Sequence, residues 1–164
     1  MTEATVFADT YNKALEVLAR GPKATKDLGR WLLQRDHLPD DVNAALARLT
    51  ERGLLNDAAY AMMFARSRLT THHMSRRRIG AELAKRGVER AIADAAIAEV
   101  MEDESIDERA MVSAAAAKKL RSLAKLDAPI QRRRLYAFLA RKGYPADLVR
   151  EVVATLMTAT NSSG

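Results

Sequence analysis

Two stretches of the chain are variants of one phrase: Arg76-Arg77-Arg78-Ile79-Gly80-Ala81-Glu82-Leu83-Ala84-Lys85-Arg86-Gly87-Val88 and, fifty-six positions later, Arg132-Arg133-Arg134-Leu135-Tyr136-Ala137-Phe138-Leu139-Ala140-Arg141-Lys142-Gly143-Tyr144. Each has three arginines, an apolar residue, a small-x-Leu-Ala core, two basic residues, a glycine and an apolar residue. The apolar spacing is that of a helix, and the glycine is a typical helix stop. Because the phrase recurs, one structural unit is used more than once.

Helical periodicity extends to the rest of the chain, where no alternating apolar segment is long enough for a sheet. We expect Thr25, Asp57 and Ser75 to cap helices, and a further helix to begin near Asp107. The predicted helices run from about Val6 to Ala19, Thr25 to Leu32, Pro39 to Gly53, Asp57 to Leu69, Ser75 to Arg86, Glu89 to Met101, Asp107 to Leu123, Asp127 to Lys142 and Pro145 to Leu156.

These nine helices divide into three groups of three. The second and third groups align through Asp57 with Asp107 and Gly87 with Gly143, and the first aligns more weakly through Leu33 with Leu83, Leu38 with Val88 and Val42 with Ile92. The predicted fold is all-α, with three tandem three-helix modules in an elongated, curved arrangement. The expected boundaries are residues 1–54, 55–103 and 104–157, followed by a flexible tail at 158–164.

Composition excludes several classes of protein. The 164 residues are 48% hydrophobic and only 5% aromatic, with no cysteine, so disulfides and thiolate metal sites are impossible. No apolar run reaches the roughly 18 residues of a membrane span. The N-terminus does not resemble a signal peptide, so a cytoplasmic protein without a membrane partner is expected.

The charge is segregated along the chain. The formal net charge is +6, yet Lys118–Lys142 holds nine basic residues against one acid, and Asp94–Glu108 holds seven acids and no base. A surface whose charge serves only solubility intersperses the two signs. Segregation favours a directional surface that faces a polyanion or an acidic protein.

The repeated phrase contains the candidate binding residues. On a helical wheel its arginines lie opposite the leucines and surround small alanines, which would let a phosphate or a backbone approach closely. The basic pair before each glycine has a simpler explanation, since cations in a last turn favour the helix dipole. The first triplet stands in a first turn, where the dipole disfavours it, so a functional cause is expected there. The candidates for contact with such a polyanion or acidic protein are Arg76, Arg77, Arg78, Lys85, Arg86, Arg132, Arg133, Arg134, Arg141 and Lys142.

No other pattern predicts a reaction. His72-His73 lacks a carboxylate at ligand spacing, and Gly21-Pro22-Lys23-Ala24-Thr25 lacks the ending of a phosphate-binding loop. The acids at Glu102–Glu104 with Asp107 and Glu108 are interpreted as a solvated segment between helices. We therefore predict no catalytic residue, no metal and no cofactor. Tyr136 and Phe138 are the only aromatic residues interleaved with the basic ones, so reading of a base sequence is not supported.

An ordered set of short motifs resembles the RecX family over most of the chain. The central set is Gly53-Leu54-Leu55-Asn56-Asp57-Ala58-Ala59-Tyr60-Ala61, Phe64-Ala65, Arg66-Ser67-Arg68, Arg78-Ile79, Glu82-Leu83 and Lys85-Arg86-Gly87-Val88. Arg134-Leu135, Phe138-Leu139 and Arg141-Lys142-Gly143-Tyr144 resemble the family's third module, and Ala14-Leu15, Leu18, Arg20 and Lys26-Asp27-Leu28 resemble its opening. Two positions depart from the family pattern: His72-His73-Met74-Ser75 replaces a glycine-containing turn, and Asn56-Asp57 replaces Asp-Asp.

The resemblance implies a bacterial regulator of the RecA recombinase that is built from three-helix modules. Such a protein binds RecA, free or as a filament on DNA, and inhibits its ATPase, co-protease and strand-exchange activities without being an enzyme. Non-specific contact with DNA phosphates and a monomeric state are further expectations. The alternative is a winged-helix transcriptional repressor, since Thr25 to Leu55 is similar to a helix-turn-helix with its exit.

Overall fold

The computed structural model describes residues 2–162, and these form helices without a strand. The helices are α1 (Glu3–Arg20), α2 (Thr25–Leu33), α3 (Pro39–Glu51), α4 (Asp57–Thr70), α5 (Arg76–Lys85), α6 (Arg90–Asp103), α7 (Glu108–Ser122), α8 (Ala128–Arg141) and α9 (Ala146–Asn161). The all-α prediction is confirmed. The winged-helix alternative is wrong, because the residues after Leu55 form α4 where a wing needs a β-hairpin.

The chain divides into two compact units. The first contains the residues up to Phe64 together with Glu82–Ala96, and the second contains Ala65–Ala81 and the residues from Ile97 onward. The core of the first unit includes Ala14, Val17, Leu28, Leu32, Val42, Leu49 and Leu55. The core of the second includes Val112, Ala116, Leu123, Leu135, Leu139, Tyr144, Val149, Val152, Val153 and Met157. The three-module division at 1–54, 55–103 and 104–157 stays a prediction.

Helices α2, α5 and α8 end in the same way. The N–H of the residue after the turn donates to a carbonyl five residues earlier: His37 to Leu32, Val88 to Leu83 and Tyr144 to Leu139. The turn itself takes a left-handed conformation at Asp36 (φ 64°), Gly87 (φ 77°) and Gly143 (φ 89°). This pattern is the one by which helices satisfy their last carbonyls. Asp36 therefore occupies the position of the glycine in the first module.

The shared helix end corrects the predicted alignment of the first module. Leu32 is fully buried like Leu83, whereas Leu33 is 45% exposed and cannot be its equivalent. Leu38 is 58% exposed, while Val88 is buried, so that pair is also wrong. Each predicted partner was displaced by one residue, because the first turn contains no glycine to anchor the alignment.

The predicted caps are partly confirmed. Ser75 is fully buried and its Oγ accepts from the Arg78 N–H at 3.1 Å, and the Asp107 carboxylate accepts from the Arg109 N–H. The cap of α4 is Asn56, whose side-chain oxygen accepts from the Ala59 N–H, so the prediction of Asp57 is wrong. Thr25 is likewise the first residue of α2 and does not cap it, because Ala24 holds the capping position.

The C-terminal helix is longer than predicted. Residues 158–161, which the sequence assigns to a flexible tail, continue α9, with the hydroxyls of Thr158 and Thr160 bonded to carbonyls four residues earlier. Buried Met157 holds the preceding turn in the core. Residues 163 and 164 lie outside the described part of the chain.

Candidate functional site

The two copies of the repeated phrase meet head to tail in the second unit. The start of the first copy faces the end of the second: the Ser75 N–H donates to the Lys142 carbonyl at 3.0 Å. The approach is close enough that a Cβ on Gly143 would collide with the Cβ of Arg78 and lie 2.6 Å from Ser75 Oγ. Arginines and a lysine that are distant in sequence therefore share one surface.

The turn before α5 is held against the end of α8 by two further hydrogen bonds. The Lys142 ammonium donates to the His72 carbonyl at 2.7 Å, and the Tyr144 hydroxyl donates to the His73 carbonyl at 2.5 Å. His73 takes φ 47°, a left-handed conformation that glycine adopts more readily than other residues. The His72-His73 turn is therefore held in one conformation before α5, although it contains no glycine.

Burial changes the ionisation of two groups at this contact. The pKa of the Lys142 ammonium is lowered from its ordinary value, first by burial and then by the nearby charge of Arg78. The pKa of the Tyr144 phenol is raised, mainly by burial and further by Glu108. Charges of both signs therefore reach this contact, that of Arg78 at Lys142 and that of Glu108 at Tyr144.

Arg76 has an acidic partner within the second unit. Its backbone N–H donates to one oxygen of the Glu108 carboxylate at 3.2 Å, and its Nε lies 3.2 Å from the other oxygen. The Glu108 side chain is only 16% exposed. Glu108 therefore compensates both the N-terminus of α5 and the Arg76 guanidinium, so the unfavourable helix dipole at Arg76 no longer requires a functional cause. A binding role for Arg76 stays a prediction.

Arg77 and Arg78 line a groove of about 490 Å³ in the second unit. We call it the arginine groove. Small residues and two tyrosines form the rest of its wall: Ala81, Tyr136, Ala140, Gly143, Tyr144, Ala146 and Val149. Arg77 is exposed, while Arg78 is half-buried. Arg77 and Arg78 thus lie beside Ala81, and Ala140 of the second copy borders the same groove.

Two arginines of the second triplet line a separate cavity. Arg132 and Arg133 border a volume of about 440 Å³ together with Ala128, Pro129 and Tyr136. Arg132, Arg133 and Arg134 are all exposed. Tyr136 lines both cavities.

The remaining candidates differ in their surroundings. Arg86 is half-buried, with its guanidinium 4.7 Å from the Phe64 ring centroid and a bond to the Glu82 carbonyl, so it has a packing role. Lys85 and Arg141 are exposed. Lys85 and Arg86 belong to the first unit, whereas the other eight candidates belong to the second.

Sequence reasoning missed the role of the acids. Asp103 and Glu104 form ion pairs with Arg66 at 3.2 and 2.8 Å, so the segment predicted to be merely solvated is partly paired. Asp57 similarly accepts from both the N–H and the hydroxyl of Thr25, at 2.8 and 3.0 Å. The spacing is a signal for these contacts in the sequence, because Thr25 and Asp57 are separated by 32 residues and so are Arg76 and Glu108.

Two negative findings concern the described residues. In that part of the chain no three His, Cys, Asp or Glu side chains are grouped so as to hold a metal ion. None of its helices is both long enough and apolar enough to cross a membrane.

Comparison with known proteins adds similarities to one family. The family model of the second three-helix domain of RecX matches residues 56–97, and that of the third three-helix domain matches residues 107–153. A regulatory protein RecX of Amycolatopsis mediterranei is 34% identical over 149 residues, with 88% of this chain and 83% of the relative covered. One of Halorhodospira halophila is 35% identical over 158 residues, which cover 94% and 92%.

Two solved structures share the fold. The crystal structure of RecX from Lactobacillus salivarius superposes with a TM-score of 0.74 at 21% identity and covers 93% of this chain and 97% of that one. A second crystal structure, of a regulatory protein RecX, has a TM-score of 0.76 at 19% identity and covers 91% and 73%.

Proposed function

The chain belongs to the RecX family, and we propose on that premise that it regulates the RecA recombinase. It binds RecA, free or as a filament on DNA, and inhibits its ATPase, co-protease and strand-exchange activities. The observation that carries this proposal is the similarity to regulatory proteins over most of the chain. The proposal assigns no catalytic residue, metal or cofactor, and it places the protein in the cytoplasm as a monomer.

The surface of the second unit supports this proposal physically. The exposed cations Arg77, Arg132, Arg133, Arg134 and Arg141 give it a positive potential. Such a surface attracts acidic protein surfaces and DNA phosphates, and the attraction weakens as salt is raised. Arg76 and Arg86 are engaged within their own units and contribute less to such binding.

The direct test is the ATPase activity of RecA on single-stranded DNA with increasing amounts of the purified protein. We expect progressive inhibition at or below one chain per RecA. Strand exchange should fall over the same range of concentration. Unchanged hydrolysis at an equimolar ratio, with the protein shown by circular dichroism to be helical, would contradict the proposal.

A further inference from the structure

The arginine groove has an apolar wall beside its cations, and a phosphate group would gain little from that apolar surface. Arg77 and Arg78 provide the charge, while Ala81, Ala140 and Ala146 provide small apolar surface beside them. Its volume of about 490 Å³ lies within the range of about 300–1,000 Å³ in which proteins bind ligands. No carboxylate lines the groove within residues 2–162. A ligand here would meet the exposed guanidinium of Arg77 and apolar surface beside it.

We propose that the arginine groove is a docking site for an acidic, partly apolar segment of a protein partner. The carboxylates of that segment pair with Arg77, and its apolar side chains lie against Ala81 and Ala140. That the partner is the recombinase rests on the proposed function, whereas the chemistry of the groove does not.

Charge complementarity identifies the occupant as anionic. Arg77 is exposed and has no ion-pairing partner in the described part of the chain. The ammonium of Lys142, close enough to Arg78 for the two charges to interact, is a further cation nearby. An arginine held at the rim of a concave surface can bind a carboxylate through two parallel N–H groups.

The apolar wall of the groove favours a protein segment over a nucleic acid as its ligand. A phosphodiester backbone needs a row of donors and gains little from alanines and the nearly buried Val149. An acidic peptide with apolar neighbours uses both parts of the groove at once, as hot-spot residues in protein interfaces do. Stacking of a base on Tyr136 is the competing outcome, which the experiment below separates.

The experiment measures binding by fluorescence anisotropy with two labelled probes. One is a ten-residue peptide that alternates glutamate with leucine, and the other is a ten-nucleotide oligothymidylate. The decisive variant is Ala140→Leu, which fills the groove from an exposed helical position without changing the net charge. Ala154→Leu on α9, another exposed alanine, is the matched control. Arg77→Ala is paired with Lys125→Ala as a control for charge, since Lys125 is exposed outside the groove.

We expect Ala140→Leu and Arg77→Ala each to weaken binding of the peptide about tenfold, while both controls stay within about twofold of the unmodified protein. Peptide binding that Ala140→Leu leaves unchanged, or that is absent in the unmodified protein, would overturn the proposal. So would a variant that loses the oligonucleotide while it keeps the peptide.

Inhibition of RecA ATPase by the same variants separates this inference from the proposed function. If the unmodified protein binds the peptide but does not inhibit RecA, the proposed function fails and the groove stands. If it inhibits RecA but Ala140→Leu leaves peptide binding intact, the groove fails and the function stands.

Discussion

Two carboxylates, each at the beginning of one helix, accept hydrogen bonds from the first residue of a different helix. Asp57 is the first residue of α4 but accepts hydrogen bonds from the first residue of α2, and Glu108 is the first residue of α7 but accepts one from the first residue of α5. Each places a negative charge at a helix N-terminus whose N–H groups lack partners within the helix. The same contact thus recurs at two successive places along the chain.

Replacing Asp57 with alanine should lower the free energy of unfolding by about 1–2 kcal/mol, because the Thr25 N–H and hydroxyl both lose their acceptor. Chemical denaturation followed by circular dichroism measures this loss. Asp94→Ala is the matched control, since its carboxylate forms only an exposed pair with Arg90 and should cost less than about 0.5 kcal/mol. Equal costs for the two variants would show that Asp57 acts only as a surface charge.

The residue scale also shows where sequence reasoning reaches its limit. Ser75 could be predicted as a cap because it is the single strong capping residue directly before an apolar periodic segment. Asn56-Asp57 offered two adjacent candidates, and local preference does not separate them. The choice is decided by Thr25, which lies 32 residues away and which no local pattern connects to Asp57.

At the scale of helices, three equivalent ends differ in what approaches them. Asp36 shows that the left-handed turn tolerates a residue other than glycine. Gly87 and Gly143 add a second constraint, because the start of another helix lies against each of them. A Cβ on Gly87 would lie 2.5 Å from the Cβ of Lys26, and one on Gly143 would meet Arg78. Glycine is therefore needed for space as well as for backbone conformation.

The glycine at 53 permits these two effects to be measured separately. Gly53 has φ 72°, similar to Gly87, but a Cβ there would meet no heavy atom within 4 Å. Gly53→Ala should cost about 1 kcal/mol, from backbone strain alone. Gly87→Ala and Gly143→Ala should cost about 1–3 kcal/mol more, because the neighbouring Cβ cannot rotate away. Equal losses for all three in thermal or chemical unfolding would refute the close approach.

At the scale of the whole chain, composition and periodicity were sufficient for the fold class. The helix-stop glycines and the leucine spacing of the repeated phrase predicted the boundaries of α5 and α8 closely. The same evidence could not sort the ten candidate cations, because their roles depend on contacts between distant segments. Arg76 and Arg77 are neighbours in one triplet, yet one pairs with Glu108 and the other borders a groove.

The segregated charge leads to a last prediction, on the salt dependence of binding to RecA filaments on DNA. Replacing Arg132, Arg133 and Arg134 with alanine removes three exposed cations and lowers the formal net charge from +6 by three. Replacing Arg90, Arg109 and Arg150 lowers it equally, but these three pair with Asp94, Glu151 and Asp147. We expect the first triple variant to bind more weakly at low salt and to show a flatter dependence of log affinity on log salt.

The acid-paired triple variant should keep both the affinity and the slope of the unmodified protein to within about twofold, because its arginines are already neutralised locally and exchange few counterions on binding. The test is to measure the affinity of both triple variants and of the unmodified protein for immobilised filaments between low and physiological salt. If the two triple variants lose affinity in parallel, the net charge alone governs association. The segregation of charge along the sequence would then have no consequence for where the partner binds.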